Sequence, residues 1–152
     1  NRSFTDATAR LDAGKSSDAI AAFTEHLRKY PNHAEAHAQA GVALQRTGES
    51  AAAVGSFRKA LDLGIRSPAG VYNSLGTALM SLNRLTEAEA ALKKAIVAAP
   101  DLAEAHNNLG ACVGQQQRLP EALEHFKEAL RLRPGYEDAR RNLSHVEEVL
   151  ND

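Results

Sequence analysis

The chain has no tryptophan, one methionine and one cysteine, and only 5% of its residues are aromatic. A lone thiol, Cys112, cannot close an intrachain disulfide, so the fold is not a disulfide scaffold and either redox compartment suits it. No apolar run nears the roughly 18 residues that would suggest a membrane span, and no charged-then-apolar leader opens the chain. The chain begins at Asn1 and not at Met, as an excised or processed piece would, so the missing leader leaves compartment open, with the cytoplasm the default. An excess of one charge is missing too. Lys and Arg number 18 against 19 Asp and Glu, which leaves no general attraction to nucleic acid or to an acidic membrane surface. What remains is rich in Ala, Leu, Glu, Lys and Arg, residues that lose little on entering a helix. The reading is a soluble, all-α protein of 152 residues, either one compact domain or a short solenoid.

What the chain does have is a period. Ala19, Ala53, Ala88 and Ala122 stand 34, 35 and 34 residues apart, and Phe23, Phe57, Leu92 and Phe126 keep the same intervals. Gly41, Gly76 and Gly110 follow at 35 and 34, as do Ala60, Ala95 and Ala129. The extra residue belongs to the loop LGIRSPAG, between Ala60 and Tyr72. Such a period marks supersecondary units that cannot bury their own apolar stripe and must stack.

Each unit divides into two helices, A and B. Ala19, Ile20, Phe23 and Leu27 share one helical face, as do their counterparts up to Ala122, Leu123, Phe126 and Leu130. These B helices stop at Pro31, Pro100 and Pro134, where the ring clashes with the preceding turn. The second unit offers Gly64 and Ile65 instead, with Pro68 deferred to the first turn of the next helix. The A helices are expected at 34–47, 69–82 and 103–117, turning near Gly48, Asn83 and Gln117. Glycine inside a helix costs about 1 kcal/mol against alanine, so Gly41, Gly76 and Gly110 imply close helix contact. The segment 136–150 carries Ala139, Leu143, Val146 and Leu150 on one face and polar residues on the other, as a capping helix needs.

The segment AEAHNNLGACVGQQQRLPEALEHFKEALRLRP (103–134) resembles a tetratricopeptide repeat, through His106, Leu109 with Gly110, Ala122, Phe126, Ala129 and Pro134. The resemblance extends over nearly the whole chain and implies a right-handed superhelical solenoid of antiparallel helix pairs. The units fall at about 1–33, 34–68, 69–102 and 103–136, with a capping helix at 137–150, within a single domain. The first unit departs from the pattern, with Asp6 and Ala7 in place of Leu-Gly, so its A helix is expected to be frayed or cut short.

Motifs with chemical potential are few. AGKSS (13–17) resembles the end of a phosphate-binding loop, but Ala9 stands where the first glycine belongs and no strand precedes it. It reads as the turn of unit one, with Ser16 or Ser17 capping the next helix. His33 and His37 lie four apart without a third ligand, and His37 holds the repeat's aromatic position, so packing is the expectation. Cys112 lacks a partner base and reads as a small core residue. Carboxylate pairs such as Glu87 with Glu89 read as solvated faces. No catalytic constellation, metal site or cofactor is expected.

Amide side chains ride on the period. Ser74, Asn108 and Asn142 form one row and Asn73, Asn107 and Arg141 another, each recurring at 34 residues. An amide both donates and accepts, so such a row suits the main chain of a bound peptide. Within the resemblance these residues line a concave groove with Glu35, Gln39, Arg46, Thr77, Gln115 and His145, and the rows are similar to the asparagine ladder of O-linked N-acetylglucosamine transferases. The lysines and arginine of the family's carboxylate clamp are missing at Asn73, Thr77, Asn108, Asp138 and Asn142, which disfavours chaperone tails. The expected function is a non-catalytic scaffold holding an extended or helical segment of a partner protein. The alternatives are a substrate-recruiting arm of a larger transferase and a self-assembling module that would form homo-oligomers.

Overall fold

The structure, a computed structural model, describes residues 1–152. Nine helices follow one another: α1 (Arg2–Asp12), α2 (Ser16–Lys29), α3 (Ala34–Arg46), α4 (Ser50–Asp62), α5 (Pro68–Ser81), α6 (Leu85–Ala98), α7 (Ala103–Gln115), α8 (Leu119–Leu132) and α9 (Glu137–Asn151). They form an all-α, right-handed superhelical solenoid of antiparallel pairs closed by α9. The backbones of successive odd helices approach one another. Successive even helices are bridged only by long side chains, Arg58 to Glu87 and Arg118 to Glu89. The stack therefore curves with the odd helices inside, and these line its concave face.

The A-to-B turns share one geometry. Gly14, Gly48, Asn83 and Gln117 adopt φ of +76°, +83°, +55° and +63°. The amides of the next residues, Lys15, Glu49, Arg84 and Arg118, reach back to Arg10, Leu44, Leu79 and Val113 at 2.9–3.1 Å. This is a Schellman ending, and the same residue then serves as the N-cap of the B helix. The serines expected to cap α2 do not. Lys15 holds the N-cap position, because a two-residue turn delivers the chain straight from one helix into the next.

Three B helices end before proline as expected, with Tyr30, Ala99 and Arg133 at φ of −128°, −145° and −138°. In α4 the stop is Gly64, at φ +76°, and Pro68 opens α5. One recurring contact at these loops was not legible in the sequence. His37 Nε2 donates to the Pro31 carbonyl at 2.8 Å, His106 Nε2 to that of Pro100 at 2.9 Å, and Arg140 to that of Pro134 at 2.9 Å. The position assigned to packing is thus also a clasp on the preceding turn. His33 and His37 do not converge, since His33 Nδ1 lies 2.7 Å from His26 Nε2.

The glycines of the A helices sit where the B helices press closest. A Cβ on Gly41 or Gly110 would lie 2.6 Å from the ring of Phe57 or Phe126, and one on Gly76 would lie 2.5 Å from Leu92 Cγ. The core runs along this seam from Ala38 to Val146, and a smaller cluster around Leu11 and Phe23 joins it through Val42. Each buried phenylalanine contributes about 1.5–3 kcal/mol. Cys112 is fully buried in the larger cluster, and burial first of all pushes its thiol above the usual range. The first A helix has 11 residues against 13 in α3, and the Asn1 side chain caps it by accepting from the Ser3 amide. Ala7 takes the glycine position there, fully buried.

Candidate functional site

The concave face is made by α3, α5, α7 and α9. Their inward residues are short and mostly uncharged, and several of the charges present have partners. Arg141 pairs with Asp138, Glu104 with Arg133, and Arg46 donates to the Leu11 carbonyl at 3.0 Å. Arg133 also lies over the Tyr136 ring, 4.5 Å from its centroid, and its guanidinium holds the Glu104 carboxyl below the usual range. The polar groups free to face the groove are mostly amides and hydroxyls.

These amides pair with each other along a diagonal. Asn108 Nδ2 donates to Asn73 Oδ1 at 2.9 Å, and Asn142 Nδ2 donates to Asn107 Oδ1 at 3.0 Å. Asn107 donates in turn to the Tyr136 hydroxyl at 3.4 Å and is 6% exposed, so it is engaged at both ends and holds its neighbours in place. Asn73, Asn108 and Asn142 stay half-exposed. Each amide offers two donors and two acceptor lone pairs, so one bond apiece leaves capacity facing the groove. In the preceding repeat Gln45 takes the corresponding part, donating to Thr77 Oγ1 at 2.6 Å, while Thr77 donates to the Ser74 carbonyl at 2.9 Å.

Two clefts open on this face. One, of about 330 Å³, lies between α3 and α5 and brings together Glu35, Gln39 and Ser74 over Val42, Phe57 and Gly70. The other, of about 350 Å³, lies between α7 and α9 and gathers Gln115, Asn142 and His145 over Gly114, Phe126 and Val146. Asn73, Thr77 and Asn108 occupy the ground between them on α5 and α7. Arg46 and Arg141 stand apart, exposed and committed to their partners. The resemblance already implies Val42, Gly70 and Gly114 on this face, whereas Phe57, Phe126 and Val146 beneath them carry no signal in the polar period and were missed as site residues.

Away from the groove, Glu89 departs from the solvated face expected of it. Its side chain is 12% exposed and receives Arg118, Lys93 and Gln116 at 2.8, 2.9 and 3.1 Å. The Arg118 guanidinium, followed by the Lys93 and Gln116 contacts and opposed by burial, lowers its carboxyl to about 2. This network ties α6 to α8 on the convex side and has no access to the concave face.

The tetratricopeptide repeat model matches residues 4–68 and 73–137, which takes in most of each of the four helix pairs and stops at the first residue of α9. The chain belongs to the tetratricopeptide repeat family. Solved structures agree over its length. MamA from Desulfovibrio magneticus RS-1 superposes with a TM-score of 0.88 at 24% identity, over 97% of this chain and 83% of that one. Pseudomonas aeruginosa pilF superposes at 0.86 with 26% identity, over 99% and 68%. YrrB, described as a TPR protein with an unusual peptide-binding site, superposes at 0.82 with 24% identity, over 98% and 76%. No curated protein sequence matches. No helix is long and apolar enough to cross a membrane.

Proposed function

We propose that this tetratricopeptide repeat chain is a non-catalytic scaffold that holds an extended or helical segment of a partner protein in its concave groove. The observation that carries the reading is the diagonal of paired amides, half-exposed Asn73 with Asn108 and half-exposed Asn142 on buried Asn107, set in a face where Arg141 and Glu104 already have charged partners. Amides fixed by one bond each are pre-oriented to give the next to a peptide backbone, which lowers the ordering cost of binding. Backbone recognition needs no particular side chains, and the want of free lysine or arginine at the groove centre fits a partner without a strongly acidic tail.

The test is a peptide-library pull-down with the parent domain beside an Asn73→Ala/Asn108→Ala/Asn142→Ala variant, with circular dichroism showing both equally helical. Peptides retained by the parent and lost by the variant are the expected result. Equal capture by both, or none by either, would overturn the groove reading and move weight to self-assembly or to the B-helix surface.

A further inference from the structure

Five of the six glycines inside helices fall into two kinds that face different sides of this protein, and the sixth, Gly55, is exposed on α4 and lines no cleft. Gly41, Gly76 and Gly110 are required by the B helices, where a Cβ would come within 2.5–2.6 Å of a buried side chain. Gly70 and Gly114 are not. A Cβ on Gly70 would meet nothing within 4 Å, and one on Gly114 would meet only Ala122 Cβ at 3.6 Å, an ordinary contact. Neither has a positive φ. Packing and backbone geometry thus leave them unexplained, although glycine costs a helix up to about 1 kcal/mol against alanine. Each forms part of one of the two concave clefts, and a larger side chain there would fill the space. The junction between the clefts shows the contrast. Met80 holds the position that Gly114 takes 34 residues later, packs against the core, and no cleft opens beside it.

The clefts lie obliquely. The first is at the N-terminal half of α3 and α5 and the second at the C-terminal half of α7 and α9, so a line between them crosses Thr77 and Asn108. Two helix spacings of about 8–10 Å, with an axial offset of about seven residues at 1.5 Å each, separate them by about 20 Å. An extended chain covers that in about six residues, and side chains an even number apart point the same way. Charge differs between the clefts. Glu35 is exposed at the first, where its one ion-pair contact is His33 Nε2 at a long 3.8 Å, whereas the second is lined by no carboxylate.

Resting on the groove reading above, we infer that the occupant is an extended segment of a partner protein with two apolar side chains about six residues apart, one in each glycine-floored cleft, and a basic residue beside the anchor at Glu35. The amides between the clefts hold the intervening backbone. Charge at Glu35 sets the direction in which the segment lies.

The experiment uses synthetic peptides of Ser, Thr and Gly carrying two leucines at every separation from about three to about nine residues, with Arg beside the first or the second, and measures binding by fluorescence anisotropy. Affinity peaks at a separation of about six. Gly70→Leu and Gly114→Leu each weaken the best peptide about tenfold or more. Gly114→Leu adds no further loss when the second leucine is already alanine, and Glu35→Gln removes the preference for Arg position. Neither glycine position is sterically closed, and circular dichroism with a urea midpoint checks that both variants stay folded. Binding that is lost in the triple asparagine variant but indifferent to leucine spacing and to both leucine substitutions would leave the groove reading and overturn this one. Binding indifferent to all of these substitutions, or no peptide bound tighter than about 1 mM, would overturn both.

Discussion

Gly110 and Gly114 lie on the same helix, and the structure assigns opposite signs to the same substitution at each. On Gly110 an alanine Cβ would sit 2.6, 2.8 and 3.0 Å from Cε1, Cδ1 and Cζ of Phe126, a ring that is 3% exposed. Something must shift, either the ring off its rotamer or α8 away from α7, and overpacking of this kind costs about 1–3 kcal/mol. Alanine's better helix propensity returns up to about 1 kcal/mol, so Gly110→Ala is expected to destabilise by about 1–2 kcal/mol. On Gly114 the same Cβ finds ordinary contact with Ala122, and only the propensity gain remains, about 0.5–1 kcal/mol of stabilisation near a helix end. Urea unfolding followed by circular dichroism reads both. With m of about 1–3 kcal/mol per molar, the Gly110→Ala midpoint drops by about 0.5 M or more while that of Gly114→Ala rises. Phe126→Ala in the Gly110→Ala background should cost less than in the parent, since the ring that clashes is gone. A Gly110→Ala midpoint at or above the parent's would refute the claim that the A-helix glycines exist for the B-helix side chain.

Gln117 holds φ +63°, a conformation that glycine adopts freely, so Gln117→Gly is expected to raise stability by about 0.5–1 kcal/mol in the same assay. Asn107→Ala should cost about 1–3 kcal/mol, because it strips a buried amide from Asn142 and Tyr136, whereas Asn108→Ala, on a half-exposed pair that water can replace, should cost less than about 1. Burial holds the His26 and His125 imidazoles below the ordinary histidine range, with the neighbouring His33 charge adding to the effect at His26. The unfolded chain therefore binds protons that the folded chain refuses. Stability is full above about pH 6.5 and falls as pH drops below it, and a His26→Phe/His125→Phe variant should show a smaller loss between about pH 7.5 and 5.5. Glu89 acts lower. Its stabilisation is present above the unfolded value near 4.5 and disappears as pH falls toward about 2, so Glu89→Gln should flatten that part of the acid-unfolding curve.

Most of the fold was legible because it rests on residues that repeat. The apolar stripe through Ala122 and Phe126, the proline stops and the close-contact glycines each recur at the period, and each has a steric reason that a single sequence carries. Helix ends were less legible where several residue types serve one geometry. Gly48, Asn83 and Gln117 all take the left-handed turn, and a serine beside the turn at Ser16 suggested a side-chain cap where Lys15 holds the N-cap position without one. Glu89 was misread because its burial depends on Arg118, in the next repeat, and no local pattern shows that.

The amide rows show how far periodicity reaches. Residues 34 apart occupy equivalent positions on neighbouring A helices and point the same way, so they line a face without touching. The hydrogen bonds run instead between residues 35 apart, Asn73 to Asn108 and Asn107 to Asn142. One residue is about 100° around the helix, so the inner flank of one helix meets the outer flank of the next. The repeat therefore identifies the face, while the offset decides which amides are spent on the protein itself. That offset buries Asn107 and leaves Asn73, Asn108 and Asn142 half-exposed. A groove whose polar groups are partly satisfied by each other is rigid before a partner arrives. On the proposed function, such a groove would hold a peptide backbone at fixed positions and leave discrimination to the two apolar clefts, where no polar period runs.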